Sequence, residues 1–382
     1  MKTVTYIFTG GRKENLNNNA FEAKDFLYGS HFFLNDKNIN LEIVEFENKR
    51  NKNLLYYFDR VFQKFFSLPF YTAKLTNTKN IRIFSKSDHV VFVNESTAFS
   101  SIFLLIFLKK IYKVETHLFA MGLYSKHLKY PQISNLHFKI IKFLILFLDN
   151  VYFLGEGELK RAKNLNKDEK KFSFFPFYID TKFWNNDNSE YGKNILFVGN
   201  DGNRCPEKFI TLVNSFQNES FVAVSNLEQF SSFSAPNFKL YSELNNGKKL
   251  SDSQLKEIYK SSKLVIIPLR ESFQPSGQSV ALQSMSMGVP VLITKTAGFW
   301  DKSKFIDNEN IFFVEKDTKE EWIKRLEYII SNQEISKTVA TKGKGLVKSQ
   351  YDLSKLKPEL KRYLNLSRIF CFLLIVLISH YV

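Results

Sequence analysis

Residues 270–300 read RESFQPSGQSVALQSMSMGVPVLITKTAGFW, and the fold is decided in this stretch. Just before it, Leu264-Val-Ile-Ile-Pro268 is a β-branched run closed by proline, as expected of a buried parallel strand. A loop follows from Arg270 to the turn-forming Pro275-Ser276-Gly277. A helix is expected next, with Ser276 or Ser279 as its N-cap, Val280, Leu282, Met285 and Met287 as its apolar positions, and Gly288 at its end. Val289-Pro290-Val291-Leu292-Ile293 is the following strand. Strand, loop, helix and strand make the repeating unit of a doubly wound parallel sheet. The free backbone N–H groups and dipole at such a helix start form an anion site at the carboxyl edge of the sheet. Ser276, Gly277, Gln278 and Ser279 occupy that position.

The same alternation extends in both directions. Strands are expected at 4–8, 41–46, 89–93, 114–117 and 151–155, the last closing a first unit, and at 194–199, 220–224, 238–241 and 311–314 in a second. Helices are expected over 21–35, 98–110, 132–148, 156–165, 206–216, 252–261, 319–331, 337–349 and 353–365. Residues 53–75 carry aromatics at helical spacing with Lys and Arg interleaved, which fits core packing or a basic face toward lipid headgroups. A chain of 382 residues exceeds one hydrophobic core. The expected division is 1–175, a linker at 176–193, a second domain at 194–350, a crossover helix at 351–365 and a hydrophobic tail at 366–382.

Two loops stand out. Thr9-Gly10-Gly11-Arg12 follows the first strand, and its glycines either let backbone approach a ligand or form an ordinary turn. Val198-Gly199-Asn200-Asp201-Gly202-Asn203-Arg204 opens the second domain. A glycine turn carrying a basic residue suits a diphosphate, because guanidinium matches phosphate oxygens bidentately; the alternative is an exposed turn with incidental charge. Arg204 is the first candidate and Lys208 the second.

Here a family resemblance enters. Residues 270–291 resemble the nucleotide-sugar site of retaining glycosyltransferases of family 4, whose pattern runs Glu, seven residues, Glu, then Ala-Met-Ala-x-Gly-x-Pro-Val. LQSMSMGVPV at 282–291 fits its second half. The second glutamate is replaced by Gln283, and the first falls on Pro275, with Glu271 four residues earlier. Pro275-Ser276-Gly277-Gln278-Ser279 resembles the form of this site in one branch of the family. FFPFYIDTKFW at 174–184 resembles the family's interdomain segment.

The resemblance implies an α/β, GT-B architecture: two Rossmann-like, doubly wound domains facing a cleft, with a C-terminal crossover helix. It implies a donor site holding Gly199, Asn200, Arg204, Lys208, Ser276, Gly277, Gln278, Ser279 and Gln283, and an acceptor-side loop at Gly10 and Gly11. A histidine after the fourth strand lies near the donor sugar in related transferases, and His117 resembles it by position; a plain core or surface histidine is the other reading. Glu271 and His117 are thus the catalytic candidates. The implied function is transfer of a sugar from a nucleotide diphosphate to a lipid-linked or surface-glycan acceptor with retention. Missing glutamates leave open a non-catalytic, membrane-associated protein that binds nucleotide sugar. No cofactor is expected, and no metal, since no Asp-x-Asp motif is present.

Composition narrows the partners. The net charge of +16 points to an anionic membrane surface first, substrate phosphates second and nucleic acid last, as no nucleic-acid-binding motif is present. Two cysteines, Cys205 and Cys371, leave no disulfide framework or zinc cluster and suit a reducing cytosol. The amino terminus has too short an apolar run for a signal peptide. Ten apolar residues at 369–378 would make a helix about 15 Å long, half a hydrocarbon core. That run either dips into one leaflet or packs on the first domain. The expected location is the cytoplasm, at the inner face of the cytoplasmic membrane.

Overall fold

The computed structural model describes residues 1–17, 22–47, 53–66, 68–125, 134–166, 169–186, 192–243, 247, 250–364 and 366. The first part contains β1 (Lys2–Phe8), α1 (Arg12–Asn17), β2 (Ile39–Glu45), α2 (Leu54–Phe66), α3 (Thr78–Ser85), β3 (His89–Phe92), α4 (Glu95–Ser100), α5 (Ile102–Ile111), β4 (Glu115–Ala120), α6 (Ser134–Leu146), β5 (Asn150–Phe153), α7 (Glu156–Leu165) and β6 (Phe172–Phe174). The second contains β7 (Asn194–Val198), α8 (Pro206–Ser215), β8 (Ser220–Val224), α9 (Glu228–Ser231), β9 (Phe238–Tyr241), α10 (Asp252–Lys260), β10 (Ser262–Ile267), α11 (Gln278–Ser286), β11 (Val291–Thr294), β12 (Phe312–Val314), α12 (Lys319–Ser331) and α13 (Gln333–Gln350). A last helix, α14 (Leu353–Tyr363), follows.

Two six-stranded sheets result, in the orders β2-β1-β3-β4-β5-β6 and β12-β11-β10-β7-β8-β9, and every pairing is parallel. Helices cover both faces, so central strands such as β3 and β11 are buried along their whole length. In the second sheet the chain leaves β7 toward β8 and β9, then returns to lay β10 on the other side. The crevice at that reversal, at the carboxyl ends of β7 and β10, is where doubly wound sheets bind ligands.

The α14 helix runs back onto the first sheet. Tyr152 Oη donates to the Tyr363 carbonyl, Tyr178 Oη donates to Glu359 at 2.6 Å, and Lys361 pairs with Asp36 at 2.7 Å. Leu356 and Leu360 press on Gly29, where φ is +79° and an added Cβ would meet Leu360 at 2.7 Å.

Several expectations needed correction. Residues 21–35 form no α-helix where described; two short 3₁₀ turns, Asp25–Leu27 and Ser30–Phe33, are separated by Tyr28 and Gly29 with φ of 48° and 79°. The left-handed pair prevents helix propagation. Residues 98–110 belong to two helices, the first starting earlier because Asn94 caps it in a capping box. The strand at 151–155 is not the last of its sheet, since β6 adds beyond it. Neither Ser276 nor Ser279 caps α11; Gly277 does, at φ 81°, with no side-chain cap. The linker residues 187–191 and the apolar run at 369–378 lie outside the described residues.

Candidate anion site and interdomain cleft

Gly199 ends β7 at φ 150°, and the chain turns through Asn203 to Arg204 before α8. An Asp201 carbonyl accepts from the Arg204 N–H, and the Cys205 N–H donates to the Pro268 carbonyl, so this turn is fastened to the end of β10. The Arg204 side chain therefore points inward, with 4% exposure. Its Nε and Nη1 atoms have no hydrogen-bond partner. The only ion pair to this guanidinium among the described residues is Nε with Asp201 at 3.5 Å. Burial lowers its pKa from the ordinary arginine value, and Asp201 opposes that shift. Two glycines make its room: a Cβ at Gly199 would lie 2.2 Å from Nε, and one at Gly277 would lie 3.1 Å from Nη1. The guanidinium thus sits between the β7 turn and the uncapped start of α11, where the helix dipole is positive.

Asn203 organises the opposing loop. Its Nδ2 donates to Gln274 Oε1 at 2.9 Å and to Ser276 Oγ at 2.8 Å. Gln278 extends the site across the two sheets, donating from Nε2 to the Leu154 carbonyl at the end of β5. Ser279, partly exposed, is the second residue of α11. Arg204, Gly199, Ser276, Gly277, Gln278 and Ser279 are therefore brought together.

Other candidates are placed elsewhere. Lys208 turns away to Asp317, accepting neither loop as partner and binding that residue's carbonyl at 2.7 Å and its carboxylate. Asn200 uses Oδ1 to accept from the Asn226 N–H, tying the β7 and β8 ends together. Glu271 is exposed, and its Oε1 accepts from the Ala297 N–H at 2.8 Å. Gly10 and Gly11 sit beyond β1 with open space where a Cβ would point. His117 lies inside β4, not after it, because that strand continues to Ala120. It is fully buried, 3.2 Å from His89 and 3.0 Å from Tyr152 Oη, and burial holds its pKa well below the usual histidine range.

Gln283 belongs to an interdomain hub rather than to the anion site. Its Nε2 donates to Asp25 Oδ2 at 2.8 Å, and its Oε1 accepts from Tyr259 Oη. The same carboxylate accepts from Trp184 Nε1 at 2.7 Å and from the Asp180 N–H at 2.6 Å. Burial pushes the Asp25 pKa up to about 7, against three donors that favour its charge.

Sequence reasoning missed the cleft's other wall. A cavity of about 280 Å³ opens beside Gln274, between the loops after β3 and β4. Asn94, Glu95 and Gly122 give it polar edges, and Leu68, Phe99 and Phe138 an apolar floor. Glu95 accepts from the Met121 N–H, and the fully buried Glu158 accepts from the Tyr124 N–H, fixing the β4 loop. Burial raises the Glu158 pKa to about 8. Asn94 followed three residues later by Thr97 was the available signal, a helix start at a sheet edge.

Solved structures share this architecture. A complex of Anabaena Alr3699/HepE with UDP and glucose is similar over 96% of this chain and 100% of its own, with a TM-score of 0.67 at 10% identity. Sucrose-phosphate synthase from Thermosynechococcus elongatus is similar over 95% and 98%, at 0.63 and 10%. A glycosyltransferase from Rickettsia africae gives 96%, 99%, 0.60 and 12%. The fold is GT-B. Residues 233–345 match the model of the family described as glycosyl transferases group 1. That stretch of the GT-B fold contains α11 and Gly277, the glycine beside the Arg204 guanidinium. No curated protein matches the chain at the sequence level. Among the described residues, no helix is long and apolar enough to cross a membrane.

Proposed function

We propose that this chain is a glycosyltransferase that moves a sugar from a nucleoside diphosphate to a lipid-linked or surface-glycan acceptor, with retention of configuration. The observation that carries the reading is the buried Arg204 guanidinium, with two N–H groups unmatched, facing the start of α11. A polar group left so is costly unless an anion completes it. The glycosyl transferases group 1 match over 233–345 and the UDP in the similar Anabaena structure support a nucleotide-sugar donor.

In the reaction, the bond from the anomeric carbon to the diphosphate oxygen breaks and a bond to an acceptor hydroxyl oxygen forms. The hydroxyl proton departs to the diphosphate. Negative charge growing on that leaving group meets Arg204 and the N–H groups of α11, preorganised donors that take the place of a metal. The acceptor enters the cavity bounded by Asn94, Glu95 and Gln274, whose apolar floor suits an amphipathic molecule.

Arg204→Ala should lower donor affinity or turnover at least about ten-fold, since a charge-assisted phosphate contact contributes about 1.5–3 kcal/mol. Binding and transfer with UDP-, GDP- and ADP-sugars measure this. Kinetics unchanged with donor varied at saturating acceptor would remove Arg204 from the site. The Ala297 N–H bond to Glu271 and the burial of Gln283 at Asp25 favour a second reading, a protein that binds nucleotide sugar without turnover. Donor binding with no transfer to any acceptor would select it.

A further inference from the structure

A separate cluster lies toward the opposite, amino-terminal edge of the first sheet. In the parallel register His89 stands beside Glu115, and Val91 beside His117. Side chains alternate along a strand, so His89, Glu115 and His117 share one face. His89 Nδ1 lies 3.2 Å from His117 Nε2 and 3.5 Å from Glu115 Oε2, and His117 Nε2 lies 3.9 Å from Glu115 Oε1. One ligating atom from each residue falls within 4.8 Å of the others. Both rings are buried, while the Glu115 side chain keeps 30% of its exposure.

Hydrogen-bond accounting sets the tautomer of His117. Tyr152 Oη donates to the Tyr363 carbonyl at 3.1 Å, so its oxygen accepts from His117 Nδ1 at 3.0 Å, while Asn150 Nδ2, 3.4 Å from the same Nδ1, makes its shorter bond of 3.1 Å to Glu115 Oε1. With the proton on Nδ1, the lone pair on Nε2 points at His89 and Glu115. Metal-ligating histidines are held in this way, with the second ring nitrogen fixed by an outer partner. Asn150 does the same for the carboxylate, donating to Glu115 Oε1 at 3.1 Å. Zinc bonds of about 2.0–2.1 Å to nitrogen at tetrahedral angles set ligand atoms about 3.3–3.4 Å apart. The His89–His117 and His89–Glu115 Oε2 distances, 3.2 and 3.5 Å, bracket that spacing; the 3.9 Å contact of His117 runs to the other carboxylate oxygen, and a small turn of the partly exposed Glu115 side chain brings one oxygen to both rings.

We propose that His89, Glu115 and His117 bind a divalent cation of the zinc class, with water as the fourth ligand on the side where Glu115 meets solvent. The ion joins β3 to β4 and, through His117, Tyr152 and the Tyr363 carbonyl, reaches the end of α14. Its role is structural and independent of the transfer reaction.

The test uses untagged full-length protein stripped with chelator, then titrated with Zn²⁺ by calorimetry and with Co²⁺ by visible absorption. One equivalent should bind, the Co²⁺ form should show the intense absorption of a tetrahedral ion, and Zn²⁺ should raise the melting temperature. His89→Gln should abolish saturable binding, and Tyr152→Phe should weaken it about ten-fold or more. Neither should change nucleotide binding. If His89→Gln does not fold, Glu115→Gln at the partly exposed position replaces it. A hydrogen-bonded histidine pair without a metal gives no saturable binding in the wild-type protein, and that result overturns the proposal. So does one-equivalent binding that the ligand substitutions leave unchanged.

Discussion

Arg204 and Glu271 stand on the loops after β7 and β10 with opposite charges, but only the first is buried. An exposed carboxylate that accepts a backbone N–H can act as a tether or as a charge directed at substrate. The Ala297 N–H bond lets the two be separated. Glu271→Gln keeps an oxygen for that N–H and removes the charge. If the carboxylate meets the donor sugar, turnover should fall at least about ten-fold while nucleoside diphosphate binding is unchanged, because a hydrogen bond to a charged group contributes about 1.5–3 kcal/mol. Turnover within two-fold of wild type would reduce Glu271 to a loop tether. The sequence exposed Arg204 because strand, glycine and basic residue are close together in the chain. It could not place Gln283, whose partner Asp25 is 258 residues away. His117 was misplaced because β4 runs three residues further than its apolar pattern foretold.

At the scale of elements, close approach is set by glycines that periodicity alone does not rank. The α7 helix begins against the second domain: Glu156 N–H donates to the Trp300 carbonyl, and a Cβ on Gly157 would lie 2.0 Å from the Ala297 carbonyl oxygen. No rotamer relieves a clash with backbone. In α13, Gly343 is similarly confined, 2.8 Å from the Asn310 carbonyl oxygen, whereas a Cβ on Gly345 meets nothing within 4 Å. Gly157→Ala should therefore lower the melting temperature and weaken donor binding by prising the 297 loop from α7. Gly345→Ala should instead stabilise by about 0.5–1 kcal/mol, the ordinary gain of alanine over glycine inside a helix. Thermal melts of both variants measure the contrast, and a stabilised Gly157→Ala would show that this interdomain contact is dispensable. Helices α10 and α12 were legible because each carries apolar positions at helical spacing behind a side-chain cap, Ser251 and Thr318. The 3₁₀ turns at Asp25–Leu27 and Ser30–Phe33 were not, since they depend on two left-handed residues and on a buried carboxylate reaching Trp184.

At the scale of the whole molecule, basic residues of this +16 chain meet exposed apolar surface across three helices of the first domain. The helices α2, α5 and α6 lie side by side on the first sheet. Phe58 packs on Phe103 at 5.3 Å, and His137 of α6 reaches the Phe66 carbonyl of α2. Outward they show Leu54, Tyr57, Phe65, Phe107, Phe143 and Leu146, with Phe65 at 64% and Leu146 at 69% exposure. Arg60, Lys64, Lys110, Lys139 and Lys142 are exposed among them. The only acidic residue in the three helices is Asp59, which is buried and accepts from the Ala73 N–H. Such a face fits an anionic lipid surface, and it adjoins the cavity beside Gln274 through Phe138 of α6. Each basic residue contributes about 1 kcal/mol near anionic headgroups, and each buried apolar Å² about 25 cal/mol, so both are needed for lasting attachment. Full-length protein should co-sediment with phosphatidylglycerol vesicles, less so at high salt. Phe65→Glu combined with Leu146→Glu should weaken that binding about ten-fold or more and leave nucleotide binding intact. Removing residues 367–382 in parallel separates the contribution of the tail from that of the face. Failure of the intact protein to bind these vesicles at low salt, or wild-type binding by the doubly substituted protein, would refute membrane docking through these helices.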